Sequence, residues 1–458
     1  MTNSHHRPKV LLLAEYCDPQ GNSVPLVGWN LSQALSYLAD IHIVTQYYNR
    51  TNFINAGLIE GKDFTVIDTV TNKWVDKSLR WIAEHLRGGA NKGWTTVMAF
   101  TLLISYYFEQ QVWQKFKSQI QHKEFDLVHR ITQLSPSIPS LMAKKCDKEG
   151  VPFIWGPING GLPWPKDFDA VRRQENEWLS YIRNAYKFVP AYQSTRKHAR
   201  AILIGSTCTW QQMDSQYYAK CIYLPENAIA AEQFQAPEVT CKALPLKAVF
   251  IGRLVALKGV DMLIEAVHPF VQTGQLQVDI IGDGPERSHL ASLVKKYAIE
   301  SGINFTGAIP HQEIPHRLQE SDLFIFPSIK EFGGAVVIEA MACGVVPIVM
   351  DYGGPGEIVT NTTGYKIPMA PKDTIIRTLH HTLENILADP QSLITQSHQA
   401  VQRVNTLFTW QQKAAMIVQV YDWILGHRPD KPDFGMPLSE IPAAEKTLPH
   451  KNIVMPVP

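Results

Sequence analysis

Short apolar runs alternate with helical stretches along most of the chain. Lys9-Val-Leu-Leu-Leu-Ala14 opens the series as a continuous apolar run, the pattern of a parallel strand buried on both faces. A turn-rich loop from Asp18 to Ser23, a helical pattern from Leu26 to Ala39 and a strand from Ile41 to Thr45 follow. Further strand-like runs lie at Phe64 to Asp68, Asp126 to Ile131, Val151 to Trp155, Arg200 to Gly205 and Lys220 to Leu224. A weakly patterned stretch, Leu224 to Pro245, reads as a linker, and the alternation then restarts. Strands are predicted at Lys247 to Ile251, Gln277 to Ile281, Ile303 to Thr306, Asp322 to Phe326 and Val346 to Met350. Helices are predicted at Gly259 to Gln272, from Pro285, at His311 to Glu320 and at Ala335 to Cys343, with three more from Pro371 to Leu425. This α/β alternation predicts two doubly wound parallel sheets facing a cleft, where ligands bind at the carboxyl ends of the strands.

The 458 residues suffice for two such domains, and the formal charge of +1 argues against a dedicated nucleic-acid binder. No two of the six cysteines stand at Cys-x-x-Cys spacing, so they read as small core residues of a reducing compartment. Met1 to Lys9 lacks the apolar core of a signal peptide, and a cytoplasmic chain is the expectation.

Candidate chemistry concentrates in three loops of the second half. Pro327-Ser-Ile-Lys-Glu331-Phe332-Gly333-Gly334-Ala335 follows a strand and opens a helix that carries Glu339. Two glycines there let an anion approach backbone N–H groups at a positive helix end. Gly252-Arg253 and Lys258 follow another strand, and together a guanidinium fork and a point charge can neutralise a departing diphosphate. Gly282-Asp-Gly284-Pro-Glu286 follows a third, but Arg287 stands where a dinucleotide fingerprint needs its last glycine, so a Rossmann dehydrogenase has little support. Read singly, the Glu331 loop is equally an ordinary strand–loop–helix with two solvated carboxylates, and solvated bases on a surface loop are the commoner fate of residues such as Arg253 and Lys258.

Taken together, these features resemble the retaining glycosyltransferases of family 4, with a group 1 glycosyltransferase C-terminal domain. Glu331 and Glu339 match that family's pair of glutamates separated by seven residues, and the order and spacing of the other two loops agree over Lys247 to Gly364. The resemblance implies the GT-B fold, two Rossmann-like domains with the last helix crossing back onto the first. The expected division is an acceptor-side domain over 1–228 with a helical aromatic insertion at about 70–122, and a donor-binding domain over 229–408. A crossing helix over 409–426 and a proline-bearing tail over 427–458 complete it. The resemblance also implies a hexosyltransferase using a nucleotide-diphosphate sugar as co-substrate, with no cofactor and no bound metal. Arg253 and Lys258 would hold the diphosphate. Glu331 with Gly333 and Gly334 would position the donor sugar, and Glu339 would bind the ribose. Gly252, Gly282, Glu286, Phe332 and Ala335 complete the implied donor site.

The first half matches less closely. Asp126-Leu-Val-His129 resembles the family strand that carries a histidine near the donor sugar, and a packed core histidine is the competing reading. Gly21, in the loop after the first strand, is the donor-binding residue the resemblance implies on this side, and it stands alone where many relatives have a glycine pair. Trp155, Asn159, Gly160 and Trp164 lie in a loop-like stretch that looks shaped for a saccharide acceptor, although buried tryptophan is more often core. Pro225-Glu-Asn227 resembles a family turn that has lost its following acidic residue. Asp167-Phe-Asp169 imitates a metal-binding signature with no strand leading into it, and reads as surface.

Lys73, Lys77, Arg80, Glu84 and Arg87 form a polar stripe on a predicted helix, and five Lys and Arg with no acid occupy Tyr181 to Arg200. These segments read either as a peripheral surface for an anionic membrane presenting a lipid-linked acceptor or as an insertion packed on its own domain. Two other functions compete with transfer: a non-catalytic nucleotide-sugar binding or scaffold protein, and a sugar-nucleotide isomerase on the same fold.

Overall fold

The computed structural model describes residues 7–69, 94–174, 185–238 and 242–436. The stripe from Lys73 to Arg87, Arg183, and the tail from residue 437 onward lie outside the described residues. Two parallel sheets form. In the first, the strands are β1 (Lys9–Ala14), β2 (Asp40–Gln46), β3 (Phe64–Ile67), β4 (Leu127–Thr132), β5 (Phe153–Ile158), β6 (Ala201–Ile204) and β7 (Cys221–Tyr223), in the order β3-β2-β1-β4-β5-β6-β7. The second holds β8 (Leu246–Ile251), β9 (Leu276–Ile281), β10 (Ile303–Gly307), β11 (Leu323–Phe326), β12 (Val346–Met350) and β13 (Tyr365–Ile367), in the order β10-β9-β8-β11-β12-β13. The central strands are apolar on both sides because helices cover both faces. In β1, Val10, Leu12 and Ala14 face one core, and Leu11 and Leu13 face the other.

The long helix Trp94–Gln121 lies on the outer face of the first sheet. Phe108, Val112, Phe116 and Ile120, at helical spacing, share one buried core with Leu11, Val128 and Phe153. Its described part therefore packs on its own domain. No helix among the described residues is long and apolar enough to cross a membrane.

The chain passes between the domains twice, side by side. Ile229 N–H donates to Phe408 O at 2.9 Å, and Trp410 N–H donates to Ile229 O at 3.1 Å. The helix Trp410–Leu425 then crosses back and packs on the helix Val24–Ser36 of the first domain. This double crossing ties the hinge and leaves the carboxyl edges of both sheets facing one cleft.

The crossing helix also fixes His129. The ring lies in β4, fully buried, with Nδ1 2.8 Å from the Tyr421 hydroxyl and Nε2 2.7 Å from Gly156 O. Both nitrogens are occupied within the core, so the expected position near the donor sugar is corrected: His129 braces the crossing helix against the first sheet. Burial pushes its pKa down to about 4. The unfolded chain, whose histidine has an ordinary pKa of about 6.5, binds the proton more readily between those values. Stability is therefore fully present above the unfolded value and is lost as pH falls from about 6.5 toward 4. Urea denaturation of wild type and His129→Gln at pH 7 and pH 5 should find a steeper acid loss in wild type. Equal losses would remove this account.

Candidate active site

The cleft is built from loops that leave the carboxyl ends of β8, β9 and β11. After β8, Leu254 and Val255 turn inward and anchor the loop, while Arg253 stays exposed. The turn Ala256–Lys258 ends at Gly259, whose φ of +66° starts the helix Val260–Gln272. A Cβ at Gly259 would stand 2.4 Å from Pro327 O, so the β8 loop lies directly against the start of the β11 loop. Lys258 Nζ accordingly meets the Glu331 carboxylate and lies 4.9 Å from the Phe326 ring centroid. The two charged side chains are 16% and 24% exposed, so they face a partly shielded cleft rather than open solvent.

The β9 loop holds the β8 loop from the other side. Gly282 has φ +137°, and a Cβ there would fall 1.9 Å from Gly252 O. A Cβ at Gly284 would stand 2.3 Å from Leu254 O. Leu254 N–H donates to Asp283 O at 2.9 Å, and Glu286 N–H to Leu254 O at 3.1 Å. These close backbone approaches explain both glycines.

In the β11 loop, Phe332 is half exposed and Gly334, at φ +64°, caps the helix Ala335–Ala342. The exposed Ala335 begins that helix, and the positive end of the helix dipole lies at this turn, a few residues after Glu331. Gly333 is crowded by the Asn227 amide and the Glu226 carboxylate, at 2.0 Å and 2.5 Å from the Cβ it lacks. Gly354 N–H supports the loop by donating to Glu331 O at 3.1 Å. Glu339, further along the helix, accepts from His311 Nε2 at 3.0 Å.

The first domain reaches this site through loops after β5 and β6. Asn159 Nδ2 donates to both oxygens of Glu226, at 2.9 and 3.0 Å, and to Phe332 O at 3.2 Å. Gly160 is pinned by Thr209, whose hydroxyl accepts from Gly160 N–H and donates to Gly160 O, each at 3.0 Å. Gln174 Nε2 donates to Glu286 at 2.7 Å and Tyr352 OH donates to Pro163 O at 2.7 Å, both across the cleft. Gly21 stays in a turn after β1, its N–H donating to Asp18 O at 3.1 Å.

Two expectations for the acceptor side are corrected. Trp155 is 0% exposed, inside the core with the Arg196 guanidinium 5.0 Å from its ring centroid, and offers no face to a sugar. Its residue sits in β5, where both sheet faces are covered. Trp164 is 9% exposed, with Lys330 Nζ 4.4 Å from its ring centroid, and packs at the domain junction. Asp167 and Asp169 lie at a short turn and the start of the helix Asp169–Gln174, with Asp169 3.1 Å from Arg172.

Sequence reasoning missed the acidic hinge. Glu357, on the short helix Gly353–Ile358, accepts from Thr207 N–H, the Thr207 hydroxyl and Tyr223 OH, joining the domains. Burial raises the pKa of both Glu226 and Glu357, while hydrogen bonds from Asn159 and from Thr207 with Tyr223 oppose it. Lys413, 2% exposed on the crossing helix, is pushed down to about 7 by burial, with the Glu226 charge opposing. The helix Gly353–Ile358 was unreadable because Gly-Gly-Pro-Gly is poor helix sequence. Its glycines are needed because Cβ atoms at Gly353 and Gly354 would stand 2.2 Å from Glu331 O and 2.4 Å from Phe332 O. A glycine cluster directly after a strand was the available signal.

Residues 241–399 match the family model for glycosyl transferases group 1. A phosphatidylinositol N-acetylglucosaminyltransferase gpi3 subunit of Schizosaccharomyces pombe is 28% identical over 201 residues, 43% of this chain and 42% of that relative. The chain thus spans under half the length of this curated relative. Sucrose-phosphate synthase from Thermosynechococcus elongatus superposes with a TM-score of 0.58 at 18% identity, covering 92% of this chain and 100% of that one. The Anabaena protein HepE in complex with UDP gives a TM-score of 0.58 at 15% identity, covering 90% of this chain and 99% of that one. With both parallel sheets and the returning last helix in place, the chain has the GT-B fold and carries a glycosyl transferase group 1 domain in its second half.

Proposed function

We propose that this chain is a retaining, metal-independent glycosyltransferase of family 4 that moves a hexosyl unit from a nucleotide-diphosphate sugar to an acceptor hydroxyl. The observation that carries the reading is the meeting of Lys258 with Glu331 beside the glycine-capped helix start at Gly334. A cation, a carboxylate and a positive helix end come together there, which suits a sugar diphosphate better than any single charged ligand. In this reading Arg253 and Lys258 stabilise the departing diphosphate, Glu331 and the Gly333–Gly334 backbone orient the sugar, and Glu339 takes the ribose. Gly252, Gly282, Glu286, Phe332 and Ala335 shape the donor site. Asn159 and Gly160 remain on the acceptor side of the cleft.

The reaction breaks the bond from the anomeric carbon to the β-phosphate oxygen and forms one to the acceptor oxygen on the same face. The acceptor proton passes to the leaving phosphate oxygen. The scheme needs no covalent nucleophile, and Glu331, the carboxylate nearest the sugar in this reading, is engaged by Lys258. Closure of the domains excludes water from the cleft. The fission-yeast relative is named as acting on phosphatidylinositol, which supports a lipid-linked or other glycoconjugate acceptor, and HepE was captured with UDP, which supports a uridine nucleotide donor. A peripheral site at the cytoplasmic face of an anionic membrane fits such an acceptor.

Incubation with UDP-, GDP- and ADP-hexoses and a panel of saccharide and lipid-linked acceptors tests the proposal. Transfer that survives EDTA and yields a product with the donor's anomeric configuration, read by proton NMR, is expected. Inversion, or dependence on a divalent ion, would contradict it. Donor binding without transfer to any acceptor would favour the scaffold reading instead.

A further inference from the structure

Glu339 is the shielded partner of an exposed histidine. Its side chain is 13% exposed, while that of His311, on the turn His311–Glu313 after β10, is 57% exposed. His311 Nε2 stands 3.0 Å from Glu339 Oε1, and its ring meets Phe234 of the interdomain stretch edge-on at 5.9 Å between centroids. The bond occupies one carboxylate oxygen and leaves Oε2 for another donor. Without such a bond, the terminal torsion of a glutamate is broad and its two oxygens exchange places readily.

The placement follows the sheet. In the order β10-β9-β8-β11, the His311 turn follows β10 and the Arg253–Lys258 loop follows β8. Two strand spacings separate them, roughly 10 Å, which is about the reach of a nucleoside from its diphosphate. We infer that His311 is a positioning residue for nucleoside recognition, holding Oε1 of Glu339 so that Oε2 faces the vicinal hydroxyls of a ribose. The inference rests on the donor-site reading above and extends it to a residue outside the three candidate loops.

The chemistry favours this arrangement. The Glu339 carboxylate is the charged group facing His311, and bonding to it raises the imidazole's basicity against the effect of burial. Cys343, on the same stretch of chain as Glu339, feels that carboxylate too, and burial holds its thiol high and uncharged. A charge-assisted donor therefore fixes an acceptor-only carboxylate, and the two ribose hydroxyls are donors of the right kind. A site built to accept hydroxyl protons rejects the analogue that lacks them, because its polar groups are then left unpaired.

Isothermal titration of the full chain with UDP, GDP and ADP, followed by the 2′,3′-dideoxy counterpart of whichever binds, tests the inference. Wild type should prefer the ribonucleotide by about tenfold or more. His311→Ala should reduce that preference to about twofold, and His311→Gln, which still donates to Oε1, should restore most of it. Thermal melting of both variants checks that each is folded. A merely structural histidine would weaken both nucleotides together and leave their ratio unchanged, and an unchanged ratio in His311→Ala overturns the inference. If wild type binds none of the three nucleotides, the donor-site reading itself fails and this inference falls with it.

Discussion

Lys258→Ala is expected to lower kcat for sugar transfer by about 10²–10³-fold while the protein stays folded, the scale found when one preorganised charge or donor is removed from a reacting centre. The reason is local. Lys258 ends a short turn and its ammonium reaches into the cleft to meet Glu331, so its main task lies toward the ligand and not toward the core. As the diphosphate leaves, negative charge grows on its oxygens, and a cation already fixed in a shielded cleft meets that charge without reorganisation. Removing it also leaves Glu331 as an unneutralised carboxylate beside the same phosphate. Lys258→Arg should recover only part of the loss, because a planar fork cannot occupy the position of a compact ammonium. Steady-state kinetics with the accepted donor, with circular dichroism as the folding control, decides the matter. A loss under about fivefold in Lys258→Ala is incompatible with the role assigned to it.

Gly282→Ala should produce the largest stability change of any single methyl addition at the cleft. The new carbon would stand 1.9 Å from Gly252 O at a φ of +137°, so both sterics and backbone conformation oppose it. The two loops cannot simply part, because Gly252 N–H donates to Ile281 O at 3.0 Å and Gly282 N–H to Gly307 O at 2.8 Å. Strain of this kind costs on the order of 3 kcal/mol, which corresponds to a Tm lower by roughly 6–12 °C in a domain of this size. Displacing Gly252 also displaces Arg253, so donor binding should weaken in parallel. Gly274→Ala is the comparison: its φ is +71°, yet its Cβ would meet open space, so only the backbone penalty applies. Differential scanning calorimetry that found equal shifts in the two variants would show that the close approach at Gly282 carries no energy.

Much of this architecture was legible because the signal was local. Among the described residues, twelve of the thirteen strands fall on predicted apolar runs, and the loops after β8, β9 and β11 carry glycines and charges whose spacing already pointed to one edge. The exception, β13, is a short edge strand of three residues with little pattern of its own. His129 and Trp155 misled for a physical reason. In a strand covered on both faces, alternation vanishes, so nothing in β4 or β5 distinguishes a side chain facing the cleft from one facing a helix. The hinge was illegible for the opposite reason. Asn159, Glu226, Glu357 and Lys413 are scattered over more than half the chain, and only the double crossing brings these groups together. His311 belongs to the same class, since its partner Glu339 lies on an element that follows a different strand.

The central claim is that a nucleotide-sugar diphosphate binds where Lys258 meets Glu331, with Arg253 on the same loop as Lys258. Calorimetric titration of wild type, Arg253→Ala and Lys258→Ala with UDP, GDP and ADP tests it most directly. One of the three nucleotides should bind wild type, and each variant should bind it at least about tenfold more weakly, the effect of losing one charge-assisted phosphate contact. Binding of equal strength in wild type and both variants would place the nucleotide elsewhere and contradict the account.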